Sequence, residues 1–195
     1  LTTNSGEIWT IFLAPFIGLP VPLLPIQILW INLVTDGLPG LALAAEPAER
    51  DVMRRPPRSP QESLFAQGLG WHALLVGLFM AGLALGIQAW YFGRDAGQWQ
   101  TMVFSALCFM QLGHVLAIRS ESTSLFSQDL RSNRPLLAAV VFTVLLQLAV
   151  VYLPAANRWF GTVPLAAADL AVCVIAALLI IAVVEAEKAV RKRSG

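Results

Sequence analysis

The chain has 195 residues, 57% of them hydrophobic and only 13% charged, with a net charge of +1. An ordinary soluble domain carries about 25% charged residues, so this composition excludes a disordered chain or a nucleic-acid module, and two cysteines exclude a disulfide scaffold. A soluble fold this apolar would lack polar residues to cover itself, and a bilayer is the simpler solvent.

A membrane-crossing helix needs about 20 mostly apolar residues to traverse about 30 Å of hydrocarbon. Six candidates follow in order. The first runs from the start to about Gly18, the second from about Pro22 to Ala44, and the third from about Gly68 to Phe92. The fourth covers about Trp99 to Ile118, the fifth about Pro135 to Leu153, and the sixth about Leu165 to Val184. Leu19-Pro20-Val21-Pro22 leaves room only for a tight turn between the first two, because proline lacks an N–H and resists helix continuation. Trp9, Trp30, Trp71, Trp90, Trp99 and Trp159 fall mostly near span ends, as interfacial aromatics do. Gly82 and Gly86 form a GxxxG pair in the third span, which reads as a close helix contact.

The basic residues set the orientation. Arg50, Arg54, Arg55 and Arg58 follow span two, Arg119, Arg131 and Arg134 follow span four, and Lys188, Arg191, Lys192 and Arg193 follow span six. That puts 11 of the 13 Lys and Arg on alternate connections, with only Arg94 and Arg158 on the other side. The positive-inside rule assigns the richer side to the cytoplasm. The expected fold is all-α, a polytopic membrane bundle of six transmembrane helices with both termini cytoplasmic. Leu1 is no initiator, so the chain reads as a piece of a longer polypeptide.

Polar side chains at membrane depth are costly and default to a functional hypothesis. Span one carries Asn4 and Glu7 at i and i+3, on one helix face. Span two carries Asn32, Thr35 and Asp36 at i, i+3 and i+4, again on one face, and span four carries Gln111 and His114. The hairpin of spans one and two lets Glu7 and Asp36 face one cavity. These are hard oxygen donors, with at most one oxygen from each amide or hydroxyl and two from each acid. Calcium takes about 6–8 oxygen ligands, and two carboxylates balance its charge. No Cys or Met joins the cluster, which argues against soft metals; Cys108 and Cys173 read as apolar packing residues. Pro39 lacks an N–H, so the Thr35 carbonyl loses its helical partner, and Gly37 and Gly40 flank the interruption. Freed carbonyls in membrane proteins line cavities, and broken helices recur at transport sites. A polar helix interface with a packing kink is the plainer alternative. For His114, an interhelical hydrogen bond is expected.

Asn32-Leu33-Val34-Thr35-Asp36-Gly37-Leu38-Pro39, followed by Asp51-Val52-Met53-Arg54-Arg55-Pro56-Pro57-Arg58, closely resembles the sixth membrane helix and following loop of calcium-transporting P-type ATPases. Asn4-Ser5-Gly6-Glu7 resembles the ion-binding stretch of their fifth helix. The resemblance implies that the chain is the C-terminal membrane part, helices five to ten. It implies that Asn4, Glu7, Asn32, Thr35 and Asp36 hold the transported ion. Sodium/potassium and proton/potassium pumps usually carry an acid where Asn32 stands, so Asn32 points to calcium. Two-calcium pumps have a glutamate where Gln111 falls, so Gln111, a sixth expected ligand, suggests a single-calcium pump. A manganese-transporting relative, a secondary cation transporter and a non-catalytic membrane subunit are the alternatives.

The expected organisation is an ion-binding hairpin over 1–44, a cytoplasmic coupling loop over 45–67, a four-helix support region over 68–187 and a basic cytoplasmic tail over 188–195. In the family the loop contacts the phosphorylation domain, which gives Asp51, Arg54, Arg55 and Arg58 a coupling role by resemblance. The sequence has no Asp-Lys-Thr-Gly phosphorylation motif and no nucleotide domain, so ATP and Mg2+ would be bound by domains outside it. The expected partners are lipid, the transported Ca2+, the N-terminal helices and the phosphorylation domain, with no nucleic acid. The expected location is the plasma (inner) membrane. Two like charges sharing a low-dielectric cavity call for compensation once calcium leaves, and proton counter-transport is the expected answer.

Overall fold

The computed structural model describes residues 1–44, 69–94, 96–119, 125 and 133–194, and every regular element among them is helical. Helix α1 spans Thr2–Phe16. Helix α2, Pro25–Trp30, runs into a π-helical segment, Ile31–Gly37, which continues as α3, Leu38–Leu43. Helix α4 spans Leu69–Phe92 and α5 spans Trp99–Ala117. Helix α6 spans Arg134–Tyr152, α7 is the short Pro154–Phe160, and α8 spans Ala167–Ser194.

The α1–α2 turn follows from its sequence. Gly18 takes a left-handed φ of 77°; its N–H reaches the Pro15 carbonyl at 3.1 Å, and the Leu19 N–H reaches Ala14 at 2.9 Å. That double closure satisfies the last carbonyls of α1. Pro25 then starts α2 where its missing N–H costs nothing. The Gln27 side chain accepts from the Leu24 N–H at 3.1 Å and donates to the Phe160 carbonyl at 2.9 Å.

Helix α5 is the centre of the bundle. Almost every side chain on it is buried, from Thr101 to Ala117. Helix α8 packs along it most extensively, with α4, α6 and the π-helical segment completing the ring, while α1 lies against α4 and α3 against α6. Small residues permit the tightest approaches. A Cβ on Gly77 of α4 would sit 2.5 Å from Ser5 Oγ of α1, and one on Gly113 of α5 would sit 2.9 Å from the Ala177 carbonyl of α8. Large apolar side chains such as Ile8, Phe12, Leu29, Leu33, Phe142, Leu145 and Leu178 lie exposed on the outside, the arrangement that hydrocarbon solvent favours.

Five described helical stretches are long and apolar enough to cross a membrane: 25–43, 69–92, 99–117, 134–152 and 167–190. The first expected span is helical as well, over Thr2–Phe16. Two details depart from expectation. Pro39 does not break span two; the backbone stays helical through Gly37 at φ −65° and ψ −51°, and the extra room is taken up by π winding. Gly82 and Gly86 meet nothing within 4 Å, so the close contact of α4 is made by Gly77. Helix α8 continues through 188–194, the stretch read as the basic tail.

Candidate cation site

The site is built from α1, the π-helical segment and α5. Glu7 on α1 is only 4% exposed. One of its oxygens accepts from Gln111 Nε2 of α5 at 2.7 Å, the other from Asn32 Nδ2 at 3.1 Å. Asn32 also donates to the Ile28 carbonyl at 2.9 Å, covering an acceptor at the α-to-π transition, where the regular ladder is interrupted. Such π segments recur at functional sites. On the next turn, Asp36 Oδ2 accepts from Thr3 Oγ1 of α1 at 2.7 Å. Thr3 stands one turn before Glu7 on α1, so Asp36 reaches the same face of α1 that Glu7 presents. Neither carboxylate has an ion-pair partner among the described residues.

Three of the six sequence-predicted ligands, Glu7, Asn32 and Gln111, therefore meet directly, and Asp36 joins them on the facing turn. Thr35 is fully buried but its hydroxyl points to Cys108 Sγ of α5 at 3.6 Å. Asn4 lies at the exposed rim of α1, with Thr3 Oγ1 3.4 Å from its Oδ1. Asp51, Arg54, Arg55 and Arg58 lie outside the described residues. No group of three or more His, Cys, Asp or Glu suited to a metal occurs among the described residues. The chemistry is thus two carboxylates supplemented by amide and hydroxyl oxygens.

The amides serve both charge states of such a site. Asn32 and Gln111 present N–H groups to Glu7, which holds a carboxylate among apolar neighbours by charge-assisted bonds. Turned over, each amide presents an oxygen to a cation instead. Gln111 Oε1 is buried and has no partner, the kind of acceptor a cation or a water would satisfy. Sequence reasoning missed Thr3 and the contact of Cys108. Thr3 had a signal, since it stands at i−4 from Glu7 on the same face; Cys108 had none. His114 makes its expected interhelical contact, with His72 Nε2 at 3.2 Å.

Comparison with known proteins agrees with this architecture. Residues 20–190 match the family described as cation transporting ATPase, C-terminus. A calcium-transporting ATPase of Bacillus subtilis (strain 168) is 43% identical over 174 residues, which is 87% of this chain and 19% of that protein. Calcium-transporting ATPase 1 of Bacillus cereus is 33% identical over 98% of the chain and 24% of its own length. The endoplasmic reticulum calcium ATPase srcA of Aspergillus fumigatus is 30% identical over 85% of the chain and 20% of its own length. The chain spans about a fifth to a quarter of these relatives. It belongs to the family of cation-transporting ATPase C-terminal membrane regions.

Proposed function

We propose that this chain forms the cation-holding membrane part of an ATP-driven P-type pump that moves Ca2+ out of the cytoplasm, with protons returning in exchange. The observation that carries the reading is the junction of three elements at Glu7, where Asn32 and Gln111 converge on one buried carboxylate and Asp36 faces it from the next turn. Relatives named as calcium-transporting ATPases support the choice of ion.

In this reading a dication enters between Glu7 and Asp36 and cancels their mutual repulsion. Asn32 and Gln111 turn their oxygens inward, and Thr35 and Asn4 supply further oxygens. Gln111, a neutral amide on α5, limits the site to one calcium. ATP and Mg2+ belong to domains outside this chain, and the loop carrying Asp51, Arg54, Arg55 and Arg58 transmits their movement to the helices. The plasma (inner) membrane is the proposed location, although one relative is named for the endoplasmic reticulum.

The test is Asp36→Asn in the full-length pump, which keeps the shape and removes one negative charge. Calcium-dependent phosphorylation from ATP should vanish, while phosphorylation from inorganic phosphate persists. Unchanged calcium dependence would refute the assignment.

A further inference from the structure

A second polar cluster lies outside the cation site. It sits where α4 begins, α5 ends and α8 runs through its last turns, the side the basic residues assign to the cytoplasm. His72 of α4 places Nδ1 2.5 Å from Glu187 Oε2 of α8 and Nε2 3.2 Å from His114 Nε2 of α5. His114 is 2% exposed, and its Nδ1 is buried without a partner. The Glu187 side chain is 24% exposed. The cluster therefore runs from a partly exposed carboxylate to a fully enclosed imidazole.

The proton positions follow from the contacts. Two ring nitrogens facing each other share one proton. With Nδ1–H of His72 donated to Glu187, His72 Nε2 is an acceptor and His114 Nε2 is the donor. His114 Nδ1 is then a bare lone pair pointing into the bundle. Gln111 lies three residues earlier on α5, about 4.5 Å deeper along the axis, and its Oε1 is also buried without a partner. A water molecule has two hydrogens to offer such a pair of acceptors, and buried polar gaps of this kind are where ordered water resides. A purely structural contact would be better served by carbon, because an orphaned buried acceptor costs stability that an apolar side chain does not.

Other charges face the trio. Glu185 and Lys188, on the same end of α8, are paired at 2.9 Å, and Lys188 Nζ also donates to the Ala117 carbonyl at 2.6 Å.

We propose that His114, His72 and Glu187 form a proton relay between the bundle interior and cytoplasmic water, the return route for the protons of counter-transport. A proton arriving at His114 Nδ1 releases the Nε2 proton to His72 Nε2. His72 passes its Nδ1 proton to Glu187, which gives it to water. One proton enters and one leaves, and both rings then exchange tautomers to reset. The relay rests on the counter-transport reading above.

The experiment uses full-length pump in tight vesicles with the membrane potential clamped, following calcium uptake and internal pH together. Wild type should alkalinise the lumen as calcium enters. His72→Gly and Glu187→Gln should each slow proton counter-flow by about 100-fold or more, within the range for a lost proton-transfer group. Equilibrium calcium affinity should be unchanged. Added imidazole should restore the His72→Gly rate and leave Glu187→Gln slow. Coupled wild type with variants equally fast overturns the relay alone. So does a His72→Gly defect that imidazole fails to rescue or that extends to calcium affinity. Calcium uptake without pH change in wild type overturns the counter-transport reading and the relay with it.

Discussion

Helices α5 and α8 invert a rule familiar from soluble proteins. Helix α8 is the most apolar of the five long stretches and α5 is among the least, yet α5 is enclosed while much of α8 lies exposed. In water the greasier helix would go inside. In hydrocarbon there is no hydrophobic drive between helices, so polar side chains seek one another and small residues allow close approach. Helix α5 brings Ser105, Gln111 and His114 to partners on three neighbours, and Gly113 lets α8 pass close by. What makes α5 central is its polarity.

Substitutions that exchange packing for polarity sharpen this contrast. The largest effect should come from Gly77→Leu, which drives a side chain into Ser5 of α1. A loss of about 1–3 kcal/mol is expected, read as a lower unfolding midpoint in detergent together with weakened calcium binding. Gly82→Leu and Gly86→Leu on the open face of the same helix should stay within about 0.5 kcal/mol; equal damage at all three would discredit the packing account. Next is the double variant Arg54→Ala with Arg55→Ala. It should slow phosphorylation by roughly tenfold, within the usual coupling range of about 1–3 kcal/mol, with equilibrium calcium binding nearly intact. Equal loss of both activities would mark a folding defect.

Gln147→Leu should cost less. It leaves Trp30 Nε1 without the acceptor it reaches at 2.9 Å, and interhelical hydrogen bonds in membranes average about 0.6 kcal/mol. The smallest change belongs to Thr143→Val. The Thr143 hydroxyl is buried with no partner, so its removal should be neutral or slightly stabilising in the same detergent assay.

Much of this was legible in the sequence because the bilayer demands long apolar stretches, and five of the six expected spans coincide with the described stretches long and apolar enough to cross a membrane. The pairing of Glu7 with span two was legible too, since an α-helical period brings Asn4 with Glu7, and Asn32 with Asp36, to single faces. That same period left detail open. It did not single out Thr3, which donates to Asp36 and stands beside Asn4 at the rim of α1. A proline rule suggested a break at Pro39, but π winding can absorb a missing donor without breaking the helix, and composition does not reveal winding. The GxxxG pair misled because glycine spacing records only that approach is possible; Ser5 and Gly6 had to be found opposite Gly77. His72 drew no notice, since its partners lie 42 and 115 residues away in sequence.

Central to the account is that Glu7 binds the transported ion directly. Equilibrium calcium binding by full-length Glu7→Gln tests this without relying on turnover. The side chain keeps its shape, and only charge and one oxygen are lost. Affinity should fall by at least about 100-fold, or roughly 2.7 kcal/mol, because ligand charge sets calcium affinity. Wild-type affinity in a folded Glu7→Gln pump would contradict it.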